Sequence, residues 1–501
     1  MIDRSVNAVD FVAIIDIGSN SVRLVVFSGV DRVPNTIFNE KILVGLGSKL
    51  GETGKMDRRS MDLAVSTLKR FKKLCEQMSV PKIRVLATAA VRDAKNGRKF
   101  VKRVKEECGL DIAVIDGSEE ARLSGLGVLS GEPNALGIAG DLGGGSLELA
   151  RLKAGKVFET VSLPIGPMRL LSQFGQDRSS AKKFLREIFA DIPWLGECES
   201  ENLYLVGGAW RNIVKLMMRE KSNPLPILHG YNSSRNELST YCRRVSKLDV
   251  ADIPFKGSLP SRRREVLPMS AIILDELLSA IKAKRAITSS YGLREGLLFD
   301  DLNEENRMVD PYIFSCQILA AERCRFAEHS RVLFDWSRPL FQRKSVDPET
   351  RDRLQFATCL LSDIAWRGHP DFRAEKAVET VLHGSFVGVT HHDRAYVAVA
   401  LNQAYGAHID APHLAAVLPL LKIDRIMEAR IMGASLRLAQ RLSGGTVGAL
   451  EESHLRLSKS NLHLELPIEY QDLSNSVVLR RVRQLAQLIG RKAKISILDP
   501  S

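Results

Sequence analysis

Apolar runs of strand length alternate with amphipathic stretches over residues 11–305, and mostly helical periodicity follows. Phe11 to Ile15 and Val22 to Phe27 read as strands around a tight turn, and Ile83 to Thr88 as a buried strand. Met61, Ala64, Leu68 and Phe71 fall at helical spacing behind Asp57, a residue suited to an N-cap, so a helix is predicted from Asp57 to Met78. Ile112 to Ile115 predicts a short strand that runs through Asp116-Gly117-Ser118 into another helix. After residue 135 the theme recurs. Leu136 to Ala139 and Leu147 to Leu149 frame a second glycine turn, Leu203 to Val206 ends in Gly207-Gly208 before a helix from Ala209, and a long helix is expected from Arg264 to Lys284. Two successive blocks of strands and helices predict two similar α/β lobes, residues 1–135 and 136–305.

The later part predicts a helical domain over residues 306–420, with helices at Cys316 to Glu328, Pro348 to Ala365 and Ala374 to Leu382. A small α+β domain is expected over 421–501. Its signals are period-2 alternation in His454 to Leu457 and Leu462 to Leu466, then a basic helix from Val477 to Ile489.

Composition alters this picture in one respect. The formal net charge of +13 points to a polyanionic partner, while an aromatic content of only 6% argues against a base-stacking nucleic-acid surface. The seven cysteines are scattered without a C-x-x-C, as expected of reduced thiols in a cytoplasmic protein. No secretory leader is expected at Met1 to Asp10, and no apolar run reaches the roughly 18 residues of a membrane span.

The two glycine turns carry the chemistry. Asp16-Ile17-Gly18-Ser19-Asn20-Ser21 and Asp141-Leu142-Gly143-Gly144-Gly145-Ser146 each place an aspartate at the end of a strand and glycines where the chain doubles back. Such turns converge backbone N–H groups on a phosphate, and the aspartate suits a hydrated Mg2+. Two capped hairpins with no ligand are the plainer alternative. Asp16 and Asp141 lie 125 residues apart in equivalent positions, which favours two loops facing one cleft. Glu148 lies on the return strand from Asp141, where it either joins a metal site or is solvated. Glu119 and Glu120 open a helix. Successive helical residues project about 100° apart, so at most one faces the cleft, and spacing does not choose between them. Arg92 at a strand exit suits either a phosphate or a neighbouring carboxylate. Gly207-Gly208, with Arg211 in the following turn, suits either a ligand or a tight turn.

Other candidates are weaker. His392-Asp393 is a literal His-Asp pair, but it stands in a turn-like Gly388-to-Asp393 stretch and does not predict a working metal site. The basic clusters Lys69-Arg70 with Lys72-Lys73, Arg262-Arg263-Arg264, Arg480-Arg481 with Arg483, and Arg491-Lys492 with Lys494 are each compatible with a solvated face. Together they suggest a track for a polyanion.

Four motifs occur in order: Asp16 to Ser21, Ala87-Thr88-Ala89-Ala90-Val91-Arg92, Ser118-Glu119-Glu120-Ala121-Arg122-Leu123, and Asp141 to Ser146. This set resembles the exopolyphosphatase/guanosine pentaphosphate phosphatase family of the actin-like superfamily, and Ser289-Ser290-Tyr291-Gly292-Leu293-Arg294-Glu295-Gly296 is similar to its lobe-closing segment. The resemblance implies two actin-like (RNase H-like) lobes forming a cleft, a helical His-Asp-phosphohydrolase-like domain and a small C-terminal domain. It implies Glu120 as general base and Arg92 as a catalytic phosphate contact. Asp141 and Glu148 would hold Mg2+ or Mn2+. Asn20, Gly143, Gly144, Gly145, Ser146, Gly208 and Arg211 would bind phosphate, Asp16, Gly18, Ser19, Ser21, Thr88 and Gly207 stand beside them as further candidates for phosphate binding, and a homodimer is suggested. Two departures stand out. Ser362-Asp363 replaces the His-Asp of the helical domain, which implies no second metal there, and Leu147 stands where the family commonly has Thr.

The expected function is release of terminal phosphate from inorganic polyphosphate. The same chemistry on guanosine pentaphosphate (pppGpp, with ppGpp as a possible further ligand) is the nearest alternative. An actin-like kinase or ATPase and a non-catalytic polyanion binder are remoter ones.

Overall fold

The computed structural model describes residues 11–254, 259, 261–341 and 347–498. Residues 1–10, where the sequence predicts no leader, and the Arg262 side chain of one basic cluster lie outside the described residues. The chain divides into two compact units, Met1–Val309 and Asp310–Ser501.

The first unit contains two sheets. In one lobe, strands β1 (Val12–Ile17), β2 (Ser21–Phe27), β3 (Thr36–Leu43), β4 (Lys82–Ala87) and β5 (Ile112–Val114) take the order β3-β2-β1-β4-β5. In the other, β6 (Gly137–Leu142), β7 (Leu147–Lys153), β8 (Lys156–Leu163), β9 (Asn202–Val206), β10 (Asn232–Ser234) and β11 (Arg285–Thr288) take the order β10-β11-β9-β6-β7-β8. Apart from the added edge strand β10, the two sheets share one topology. The three leading strands of each are antiparallel, and the later ones join in parallel through helical crossovers. Both lobes are the α/β folds that the patterning predicts.

Local chemistry sets the helix boundaries. Helix Arg58–Gln77 starts where Asp57 accepts the Ser60 N–H at 3.3 Å, and it buries Ala64, Leu68 and Phe71. The helix expected from Arg264 to Lys284 is two helices, Ser261–Glu265 and Leu267–Ala280, because Pro268 is compatible with the first turn of a new helix but not the middle of an old one. The expected Cys316-to-Glu328 helix runs instead from Pro311 to Arg323 and ends at an extended Cys324, and a separate helix covers His329–Ser337.

A third core joins the lobes. Val12, Ile14 and Leu86 of the first sheet, Ala139 and Tyr204 of the second, and Leu123, Leu126, Leu297 and Leu298 from two helices form one buried cluster. Helix Gly117–Gly131 follows the first sheet in sequence yet packs on β6, β7 and β8 of the second lobe. Helix Leu293–Asp300 follows the second sheet, and Asp301 just beyond it pairs with Arg84 of the first at 2.6 Å. Where these helices cross, a Cβ on Gly127 would stand 2.1 Å from the Gly292 carbonyl oxygen, and one on Gly296 would stand 1.8 Å from that of Leu123. Only glycine permits this approach.

In the second unit, helices Pro311–Arg323, Pro348–Leu360, Arg373–His383, His391–Tyr405 and Ile423–Ser443 precede a sheet of β12 (His454–Leu457), β13 (Asn461–Pro467) and β14 (Lys492–Leu498), and helix Ser476–Leu488 packs on Ile423–Ser443. The turn-like stretch at His391-His392-Asp393 is a helix start. Thr390 caps it, and Asp393 accepts the Thr390 hydroxyl at 2.7 Å, so that carboxylate serves a capping box. Asp363, from the replaced His-Asp motif, takes a two-toothed bond from Arg325, with both contacts at 2.8 Å.

Gly296→Ala is expected to destabilise the first unit by about 1–3 kcal/mol through overpacking at the helix crossing. Gly196→Ala, where an added Cβ meets nothing within 4 Å, should be near neutral. Thermal unfolding of the two variants side by side checks this, and equal melting temperatures would contradict it.

Candidate active site

The two glycine turns close in the same way. The Gly18 N–H donates to the Ser21 carbonyl at 3.0 Å, and the Gly143 N–H to that of Ser146 at 3.0 Å. Register places Asp16 opposite Arg23 on one hairpin and Asp141 opposite Glu148 on the other. Both turns open on one cavity of about 620 Å3, lined by Asp16, Gly18, Ser19, Asn20, Ser21, Thr88, Glu120, Asp141, Gly143 to Ser146, Glu148, Gly207, Gly208 and Arg211. Of the residues expected at the site, Arg92 alone is not in this lining. Its Nη1 donates to Glu120 Oε2 at 3.2 Å and to the Ile115 carbonyl at 3.2 Å, so it touches the cavity through Glu120.

The structure separates Glu119 from Glu120. Glu120 faces the cavity, whereas Glu119 binds Arg122 through both oxygens, at 2.8 and 2.9 Å, on the far side. Gly207 and Gly208 also separate. Gly207 has φ of +93°, and a Cβ there would stand 2.5 Å from the Leu142 carbonyl oxygen, so the turn itself requires glycine. A Cβ on Gly208 would meet nothing within 4 Å, and the N-terminus of helix Gly208–Glu220 opens onto the cavity. Free N–H groups and the helix dipole both favour an anion there. Thr88 is buried and ends β4 without capping the short helix that follows.

One family model, the Ppx/GppA phosphatase family, matches residues 25–305, and another, exopolyphosphatase C-terminal, matches residues 312–496. The chain belongs to the Ppx/GppA phosphatase family. Retrograde regulation protein 2 of Saccharomyces cerevisiae is 26% identical over 433 residues, which cover 79% of this chain and 73% of that protein. Exopolyphosphatase 1 of Mycobacterium leprae is 25% identical over 308 residues, 58% of this chain and 89% of that one. The crystal structure of an Aquifex aeolicus Ppx/GppA family member covers 59% of this chain and 99% of its own at 28% identity, with a TM-score of 0.50. The two-lobed fold of this Ppx/GppA chain is thus shared with solved members, and its family membership supports a polyphosphate phosphatase activity.

Electrostatics divide the cavity into two ends. At the acidic end, burial first, and then the charges of Asp141 and Asp16 against the countering Arg92, push the Glu120 carboxyl up to about 7. Burial and the Glu120 charge drive Glu148 well above the carboxylate range, although Ser162 Oγ donates to its Oε1 at 2.9 Å. Burial also raises Asp141, opposed by the Ser124 hydroxyl at 2.8 Å and by Arg211. These mutually raised carboxylates, short of counter-charge, fit a hard divalent cation. Among the described residues no three His, Cys, Asp or Glu side chains form a ready cluster, so such an ion would complete its shell from water and substrate oxygens.

The other end is basic, and two of its residues, Arg23 and Lys41, were not singled out from the sequence. Arg23, Lys41, Arg263 and Arg294 line it together with Arg211. Crowding by protein atoms, and then Arg263 and Arg23, lower Lys41 to about 8, although its side chain is still reached from solvent through the cleft. Burial, followed by Arg294, lowers Arg23 to about 10. The available signal was Arg23 itself, a lone charge inside the apolar run Val22 to Phe27.

Arg92 is the cation that holds Glu120 down. Its replacement by Met should therefore raise the Glu120 titration. Because the ionised carboxylate is the base form, the acid limb of kcat/KM for phosphate release should move upward from about pH 7. A pH–rate profile of Arg92→Met checks this, and an unmoved limb would show that Arg92 does not set the base.

Proposed function

We propose that this protein is an exopolyphosphatase that hydrolyses the terminal phosphate of inorganic polyphosphate. The observation that carries the reading is the pairing of an acidic end, with Glu120, Asp141 and Glu148, and a basic end, with Arg23, Lys41, Arg211, Arg263 and Arg294, in one cavity. Glu120 polarises a water for attack on the terminal phosphorus. Its titration near 7 suits a base that must accept a proton at neutral pH. The N–H groups of Gly144 to Ser146 and the N-terminus of helix Gly208–Glu220 offset negative charge on the transferred group, while the Arg92 guanidinium acts through its bond to Glu120. Asp141 and Glu148 would hold Mg2+ or Mn2+, which when bound neutralises phosphate charge as a Lewis acid. The basic end grips the phosphates behind the reacting one.

Guanosine pentaphosphate is the second reading, since the Ppx/GppA family spans both chemistries. The cavity lining favours the polymer. Among the described residues no Phe, Tyr or Trp lines it to stack a guanine ring, whereas five cations do.

Phosphate release with Mg2+ should be faster from long-chain polyphosphate than from guanosine pentaphosphate. Glu120→Gln should lower it by about 10²- to 10⁴-fold while polymer still binds. Preference for the nucleotide would move the function to the second reading, and equal loss of binding would remove Glu120 from the role of base.

A further inference from the structure

The two lobes meet at a chain of charges beside the cavity. Glu120 moves with the second lobe. A Cβ on Gly117, at the start of its helix, would stand 2.3 Å from Ser162 Cβ of β8, and Ser118 Oγ lies 2.7 Å from Thr160 Oγ1 of the same strand. Arg92 belongs to the first lobe, at the exit of β4. The Arg92–Glu120 contact at 3.2 Å therefore spans the lobes. Asp93, next to Arg92, spans them again. Its Oδ1 accepts Arg92 Nε at 3.3 Å, and its Oδ2 accepts Arg169 Nη2 at 3.1 Å.

Arg169 is fastened to the second glycine turn. It lies in the first turn of helix Pro167–Phe174, where the Met168 N–H donates to the Gly144 carbonyl at 3.0 Å. Gly166 approaches so closely that a Cβ there would stand 2.4 Å from the Gly145 carbonyl carbon. The turn that faces the phosphate and the arginine that reaches across the cleft thus form one rigid piece. As an isolated, partly exposed pair, Asp93–Arg169 would contribute little to stability. Its importance lies in what Asp93 also holds. Asp93, held by Arg169, joins the Ile115 carbonyl and Glu120 in orienting the Arg92 guanidinium. Without Arg169 the Asp93 carboxylate is free to rotate and Arg92 loses that restraint.

We propose that Arg169 and Asp93 form a closure latch that positions Arg92 against Glu120, so that the base is completed only when the lobes are shut. Both are positioning residues. The proposal rests on the hydrolase reading for its kinetic consequence, but not for its structural one. Shutting a cleft commonly couples the sequestering of a reaction to completion of its catalytic set.

The test uses the full chain. Arg169→Met, Asp93→Ala and the double variant are assayed for phosphate release from polyphosphate, and lobe separation is read by spin-label distances between Lys73→Cys and Lys183→Cys with the partly exposed Cys324 replaced by Ser. Each single change should lower kcat on the order of tenfold, as misplacement of a catalytic group does, with KM changed less than about twofold. The double should be no worse than either single, Arg169→Lys should restore most of the loss, and Arg169→Met should lengthen and broaden the label distances. Unchanged kcat in Arg169→Met, additive losses in the double, or an effect confined to KM would overturn the latch. A wild-type chain that releases no phosphate, but whose labels move apart in Arg169→Met, would sink the hydrolase reading and support the latch. Labels that stay in place in such a chain would overturn both.

Discussion

Mutual repulsion among buried carboxylates is the constraint around which this site is organised. Glu120, Asp141 and Glu148 line one end of a cavity, each raised by burial, Glu120 further by Asp141, and Glu148 further by Glu120 and Asp141. Left alone, such a group takes up protons or draws in cations. The surroundings supply partial answers: hydroxyls from Ser124 and Ser162, the Arg92 guanidinium on Glu120, and the charges of Arg211 and Arg294 on Asp141. None neutralises the set. The residual demand for positive charge suits a cation, and the incomplete neutralisation leaves the Glu120 carboxyl raised to about 7.

That arrangement depends on a fold built twice. Each lobe delivers one aspartate at a strand end and one glycine turn, and the swapped helices hold the two copies face to face. Because Gly117–Gly131 packs on the second lobe and Leu293–Asp300 crosses it at Gly127 and Gly296, Glu120 is carried to the lobe that already holds Asp141 and Glu148. Had each helix packed on its own sheet, Glu120 and the two other carboxylates would lie on opposite walls.

Much of this was legible in the sequence. Strand–turn–strand patterns around Asp16 and Asp141 are local events, governed by period-2 burial and by glycine, and they appear where expected. The choice of Glu120 over Glu119 was not readable from spacing, since both sit in the first turn of one helix and only packing decides which faces inward. Helix ends were misjudged where a distant partner or a proline sets them. Pro268 restarts a helix, and Thr390 with Asp393 turns an apparent loop into a helix start. Arg263 and Arg294 were named from the sequence in separate motifs, but their meeting with Arg23 and Lys41 stayed hidden because the four come from separate elements and converge only in three dimensions.

Among the differences between the two copies, one cross-strand pair reverses the sign of its charge, and that reversal gives the cleft a direction. Arg23 faces Asp16 across its hairpin as Glu148 faces Asp141 across the other, so equivalent places hold opposite charges. A faithful copy would have made both ends alike, and a linear anion would lie across it with neither terminus preferred. With the sign reversed in one copy, the cleft acts as an electric dipole. A linear anion placed in it would meet attraction at one end and carboxylates at the other. The cleft therefore sets which way round an anion lies, before any contact with a particular ligand group is made.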